Sequence, residues 1–206
     1  MKAKWFTVIL ITWALMITGC TPPTKNIDTA NDEGKAVMEL DYRDFDQAAT
    51  EMVQSMLSSG VFKKADGNRY VVTTAKIIND TMQRIDTDQL TFKIEQDLIN
   101  SGQVVMTAAV GGKGAPDQMV YQMRDLRDSE KSEEFKQDTM PGKGQIIAPE
   151  LSISGKIYQK NIRYDNNIQQ VEYYFQLRVA EIGTGLSYWQ KEAFIGKRGS
   201  KNVVPW

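Results

Sequence analysis

The chain has 206 residues, 41% of them hydrophobic and 25% charged, with a formal net charge of −1. That is the size and balance of one globular domain with a tail: too apolar and too evenly charged for a disordered chain, and without the basic excess of a general nucleic-acid binder. Histidine is absent and there is one cysteine, which removes the Ser-His-Asp triad, the Cys-His pair, imidazole zinc sites and an intrachain disulfide. No cofactor or metal site is expected.

The N-terminus carries an address. Lys2 and Lys4 precede an apolar run, Trp5 to Ile17, of 13 residues broken only by Thr7 and Thr12. A bilayer takes about 20 residues to span, so this run reads as a secretory signal. It ends in Ile17-Thr18-Gly19-Cys20, which resembles a bacterial lipobox, and the chain's one cysteine sits at its last position. The expectation is cleavage after residue 19 and acylation of Cys20, the one site residue the sequence offers. Stable anchoring then comes from two or more acyl chains. Thr21, rather than Asp, follows the cysteine, which by analogy with bacterial lipoproteins favours the outer membrane, with the domain facing the periplasm. Removing residues 1–19 takes away Lys2 and Lys4 and leaves 23 basic against 26 acidic residues, a net of −3. Charge alone would not hold such a surface to anionic lipid.

Residues 20–38 hold Pro22, Pro23, Asn26, Asp28, Asn31, Asp32 and Gly34 with almost no apolar periodicity. They read as a tether reaching at most ~60 Å when extended and ~25 Å on a root-mean-square basis. A domain over 39–198 and a tail over 199–206 complete the division. The domain opens with an amphipathic helix: Phe45, Ala48, Ala49, Met52, Val53, Met56 and Leu57 share one stripe. Asp41 or Asp44 is placed to cap it and Gly60 to end it. Tyr70 to Ile78 is β-branched and reads as a strand, broken by Asn79 and Asp80. A helix from about Thr87 to Ser101 follows, with Leu90, Ile94, Leu98 and Ile99 inward, then a strand from Val104 to Val110. Strand, helix, strand over this length is a βαβ-like unit with parallel strands.

Gly111-Gly112-Lys113-Gly114 has neither phosphate-binding glycine spacing and reads as a mobile loop, as does Pro141-Gly142-Lys143-Gly144. Met119, Val120, Met123 and Leu126 have helical spacing. Asp125 to Asp138 mixes both charge signs without a calcium-loop order, so a solvated excursion is expected there. Leu151 to Tyr158 alternates as a half-buried strand. Val171, Tyr173, Phe175, Leu177 and Val179 do the same, Gly183-Thr184-Gly185 turns, and Leu186 to Ile195 returns. Trp189 fits either a core or a surface-anchor role. Arg163 and Tyr164 read as a polar excursion, and Lys197, Arg198 and Lys201 as a short basic tail.

The order of these elements behind a lipobox resembles the LpoB (YcfM-type) penicillin-binding protein activators. Its carriers are Met52-Val53-Gln54-Ser55-Met56-Leu57, the segment from Val72 through Gly102, and above all the run from Phe175 through Gly185 to Trp189. The resemblance implies a single compact α/β domain, with a small mixed sheet flanked by helices and ending in a β-hairpin, like the N-terminal domain of TolB. It implies no enzyme activity. It implies instead a partner: a bifunctional class A penicillin-binding protein of the inner membrane, stimulated through a small accessory domain. Enteric members carry a long proline-rich tether, and this one is much shorter. No contact residue transfers from the family; the basic tail and the Gly111 to Pro116 loop are the candidates. A monomer is expected, since there is no heptad seam.

Two other classes compete. A scaffold or secretion lipoprotein of related fold would need long amphipathic hairpins able to build a barrel. A cell-wall hydrolase would need two convergent carboxylates at a set separation, and nothing in the charge runs marks such a pair.

Overall fold

The structure, a computed structural model, describes residues 37–163 and 165–200. Cys20, the signal segment and the tether up to residue 36 lie outside the described residues, as do Tyr164 and Lys201.

Asp41 starts the fold. Its extended backbone, at φ −110°, lets its carboxylate accept from the Arg43 and Asp44 N–H groups, while Asp44 accepts from the Asp41 N–H in return. Both candidate caps are therefore used, as a capping box that satisfies otherwise orphaned N–H groups. The helix α1, Tyr42–Ser58, buries Ala48, Ala49, Met52, Val53 and Met56, with Phe45 and Leu57 at the margin of the core. Just past its end, Gly60 has φ +77°, where a side chain would be strained.

Strand β1, Tyr70–Asp80, outruns its expected end. Asn79 and Asp80 pair with Ile157 and Tyr158, and the Asn79 side chain shapes the turn that follows by accepting from Thr81 N–H and donating to Gln83 O. Turn chemistry here acts just past the strand instead of interrupting it. Helix α2, Thr87–Asn100, is capped by Asp86 and buries Leu90, Ile94 and Leu98; Ile99, expected inward, is exposed.

Strand β2 is Val104–Met106, shorter than the expected run to Val110. Its tail still tracks β1, but through single bonds: Thr107 N–H to Val72 O, Thr73 Oγ1 to Val110 O and Gly112 N–H to Thr74 O. The glycine loop is thus held in place. A Cβ on Gly112 would lie 1.9 Å from the Lys76 nitrogen, so this glycine lets the loop press against β1 where its register shifts between Thr74 and Ile77. Helix α3, Met119–Arg127, and two 3-10 turns, Glu130–Glu134 and Gln137–Thr139, follow with no fully buried residue. The helix is the one the spacing of Met119, Val120, Met123 and Leu126 predicts, and the turns are the solvated excursion expected over Asp125 to Asp138.

Three long strands end the described residues: β3, Leu151–Arg163; β4, Ile168–Glu181; and β5, Ser187–Ser200. β3 and β4 stay in register from Leu151↔Glu181 to Arg163↔Gln169. The polar excursion expected at Arg163 is therefore strand, and a tight turn follows in which Asp165 Oδ1 accepts from the Asn167 and Ile168 N–H groups. Polar residues continue the ladder because both faces of this end of the hairpin meet water. The sheet order is β2-β1-β3-β4-β5, with β1 parallel to both neighbours and the last three strands antiparallel. It is a small mixed sheet in an α/β domain.

One core joins the layers. Met52 and Met56 of α1 and Leu90, Ile94 and Leu98 of α2 cluster with Val72, Ile153, Ile157, Phe175 and Leu177 of the sheet. Both long helices therefore cover the same face, where each fully buried side chain contributes ~1.5–3 kcal/mol. The core begins earlier than expected: Met38, assigned to the tether, is 7% exposed and belongs to it.

Candidate docking face

Side chains directly opposite one another in a sheet share a face, so the registers define what β3, β4 and β5 present on the side away from the helices. Ser154, Arg178 and Gln190 form one rung. Next come Ile78, Lys156, Gln176 and Glu192, then Asp80, Tyr158, Tyr174 and Phe194, then Lys160, Glu172 and Gly196. The aromatic rung is continuous. Tyr158 and Tyr174 stack at 4.7 Å and 4°, and Phe194 leans on Tyr174 at 5.3 Å. Lys160 lies over Tyr174 at 4.9 Å, a cation–π distance. Phe194 and Ile78 remain 55% and 56% exposed.

Hydrogen bonds knit the rungs together. Tyr158 OH and Gln176 Nε2 donate to Glu192 at 3.1 and 2.8 Å. Tyr174 OH and Gln170 Nε2 donate to Glu172 at 2.6 and 2.7 Å. The Glu172 carboxylate pushes the Tyr174 phenol up to about 12. In turn the Tyr174 hydroxyl, with Gln170, holds Glu172 below its usual value. Partial desolvation and Glu192 raise Tyr158. Between the first two rungs, Ser154 is short among long neighbours. A groove of about 620 Å³ opens there, bounded by Lys76, Ile78, Lys156, Arg178 and Gln190.

The expected contact candidates fall elsewhere. Lys197 is part of β5, and its side chain is 8% exposed. It pairs with Asp44 and donates to Glu39 O at 2.7 Å, and so fastens the start of α1 to β5. Charge at this position serves packing, which corrects the reading of Lys197 as part of a basic tail. Arg198 also lies in β5 and bonds Gln170 at 2.6 Å. Nearby, Tyr173 OH donates to Met38 O and accepts from Gln83; burial pushes that phenol far up. The Gly111 to Pro116 loop lines a smaller hollow of about 220 Å³ with Thr91, Phe92 and Glu95 of α2. Trp189 is half-buried against the margin of the core.

The aromatic rung escaped sequence reading although its signal was present. Tyr158, Tyr174 and Phe194 occupy alternate positions on three strands, but only the register aligns them. Among the described residues no group of three or more acids could hold a metal. The face's carboxylates are engaged by hydroxyl, amide and ammonium donors.

The class so defined is a small α/β domain whose sheet is packed by two long helices on one face, while on the other face, among the described residues, β3, β4 and β5 stand open. The chain belongs to a known family of this kind: the model of the peptidoglycan-synthase activator LpoB family matches residues 44–195, from the first turn of α1 into β5. Among solved structures, the LpoB C-terminal domain from Escherichia coli is 15% identical, with a TM-score of 0.43, covering 75% of this chain and 99% of that one. The Salmonella enterica domain is 14% identical at 0.41, covering 74% and 98%. A Neisseria meningitidis lipoprotein is 10% identical at 0.36, covering 65% and 85%. No curated protein matches the chain.

Proposed function

We propose that this protein is a lipid-anchored activator of a class A penicillin-binding protein. The observation that carries the reading is the family match over residues 44–195, most of the described domain. The lipobox supports the rest: Cys20 is acylated, the lipid sits in the outer membrane, and residues 20 to about 36 tether the domain to it. No cofactor takes part.

The mechanism is a shift of population. A folded accessory part of the synthase binds the domain, and the synthase moves towards its active state because the domain binds that state more tightly. A tenfold preference is worth ~1.4 kcal/mol and changes the active-to-inactive ratio tenfold. The tether adds spatial control, since stimulation occurs only within its reach.

The test is to add the full-length protein, in detergent, to each class A penicillin-binding protein of the host and follow lipid II polymerisation and cross-linking. A saturable rise with one synthase establishes activation and names the partner. No binding and no rise with any of them sinks the reading and leaves a scaffold lipoprotein in its place. The anchor has its own test: Cys20→Ser abolishes incorporation of labelled fatty acid, and a parent that takes up no label sinks the acylation reading.

A further inference from the structure

Three features of the open face point the same way. First, no described residue covers its centre: Phe194 and Ile78 are more than half exposed, beside the stacked tyrosines and the groove. An apolar centre with a polar surround is the usual anatomy of a protein-binding patch. Second, its acids are already engaged. Glu192 accepts from Tyr158 and Gln176, Glu172 from Tyr174 and Gln170, and Asp80 pairs with Lys156. Third, its cations are not matched in the same way. Among the described residues Arg178 reaches the Gln190 amide alone, at 3.4 Å, and Lys76 makes no ion pair, whereas Lys156 is paired with Asp80. Both Lys76 and Arg178 border the groove.

We propose that this face docks the partner, and that the partner's docking element is carboxylate-bearing, with Asp or Glu side chains that meet Lys76 and Arg178 while an apolar side chain rests on Ile78 and Phe194. The inference rests on the activator reading for the partner's identity. The chemistry follows from the asymmetry on the face. Its acceptors are engaged internally, so the capacity left for new charge-assisted bonds belongs to the cations. A guanidinium offers a carboxylate two parallel donors. Residues facing a groove are also desolvated more fully on docking than rim charges, so the pairing gains strength there.

The test uses full-length protein in detergent and the host's class A penicillin-binding proteins, with affinity measured between 50 and 300 mM NaCl. Lys76→Glu with Arg178→Glu weakens binding at least tenfold and flattens the salt dependence, while the thermal melt stays that of the parent. Lys131→Glu, in the excursion, changes affinity less than twofold. Should the double reversal perturb folding, Lys76→Gln with Arg178→Gln removes the charges without adding repulsion and still weakens binding severalfold. If the parent binds a synthase and both double variants bind within twofold of it, the surface assignment is wrong and the activator reading stands. If the parent binds none of the synthases, both fall together.

Discussion

Two faces of one strand divide the labour of this molecule. On β4 the residues Val171, Tyr173, Phe175, Leu177 and Val179 are buried beneath the helices, while Glu172, Tyr174, Gln176 and Arg178 alternate with them towards the open side. Backbone, strand partners and register are shared. What differs is the layer above: α1 and α2 on one side, none of the long helices on the other. The packed face is where apolar burial stabilises the domain. The open face contributes little to that stability, so its residues can vary to suit a partner. Its hydrogen-bonded rungs keep the aromatic centre in one arrangement before anything docks, which lowers the ordering cost of binding.

The largest expected contrast tests that division directly. Phe175 is 1% exposed and meets Phe45 edge-on at 5.9 Å. Phe175→Ala should cost about 3–5 kcal/mol in urea or thermal denaturation, because it leaves a cavity beneath α1. Phe194→Ser, one strand over and on the other face, should stay within about 0.5 kcal/mol. Equal losses at the two positions would mean that the open face is not open in solution.

How much of this was legible depended on whether the signal was local. The stripe of α1, its cap, the stripe of α2 and the alternation of β4 are written in consecutive residues, and they appear where the pattern placed them, Ile99 at the end of α2 excepted. Errors arose where partners decided. Asn79 and Asp80 look like breakers, yet they have a neighbouring strand to pair with. Val104 to Val110 looks like one strand, yet the chain leaves the ladder after Met106 and presses Gly112 against β1. Lys197 and Arg198 look like a tail because charge was read without the Asp44 that meets Lys197 across the fold. The docking face was the least legible feature. Its parts lie on four strands, and its groove exists because Ser154 stands among longer neighbours.

The next effect in size belongs to that misread lysine. Lys197 and Asp44 are both largely buried, and losing one member of such a pair leaves the other's charge without its partner. Lys197→Met should cost about 2 kcal/mol, less than a fully buried pair would, because the Asp41 N–H still donates to Asp44. A loss below ~0.5 kcal/mol in denaturant titration would mean that the pair does not fasten α1 to β5.

Smaller again is the cap. Asp41→Ala removes both bonds to the first-turn N–H groups and should cost about 1 kcal/mol. It also carries a pH signature. Partial burial opposes the charged carboxylate, but Arg43, the Asp44 N–H and Lys197 outweigh it, and the folded pKa lies below the usual 3.8. A depressed acid contributes stability that is fully present above its unfolded value and is lost as pH falls through the folded one. The gap between parent and Asp41→Ala in denaturation midpoint should therefore hold steady from pH 7 to 5 and narrow below about pH 4.

The smallest change is spectroscopic and lies on the open face. Tyr174 donates to Glu172 at 2.6 Å, and that carboxylate, with partial desolvation, lifts the phenol to about 12. An acid raised in the folded state contributes stability that is present below its unfolded value near 10 and is lost as pH rises through the folded one. Exposure keeps the energy small, so absorbance is the better readout. In Glu172→Gln the phenol still finds an acceptor but no longer faces a charge. A difference titration against the parent at 295 nm should show one tyrosine moving down towards 10 while the others stay in place. The thermal melt at pH 7 should barely change, since a neutral hydrogen bond replaces a charged one on a surface that water reaches. If no tyrosine moves, the rung is not closed in solution, and the internal engagement of the face's acids, on which its preference for a carboxylate-bearing partner rests, is lost with it.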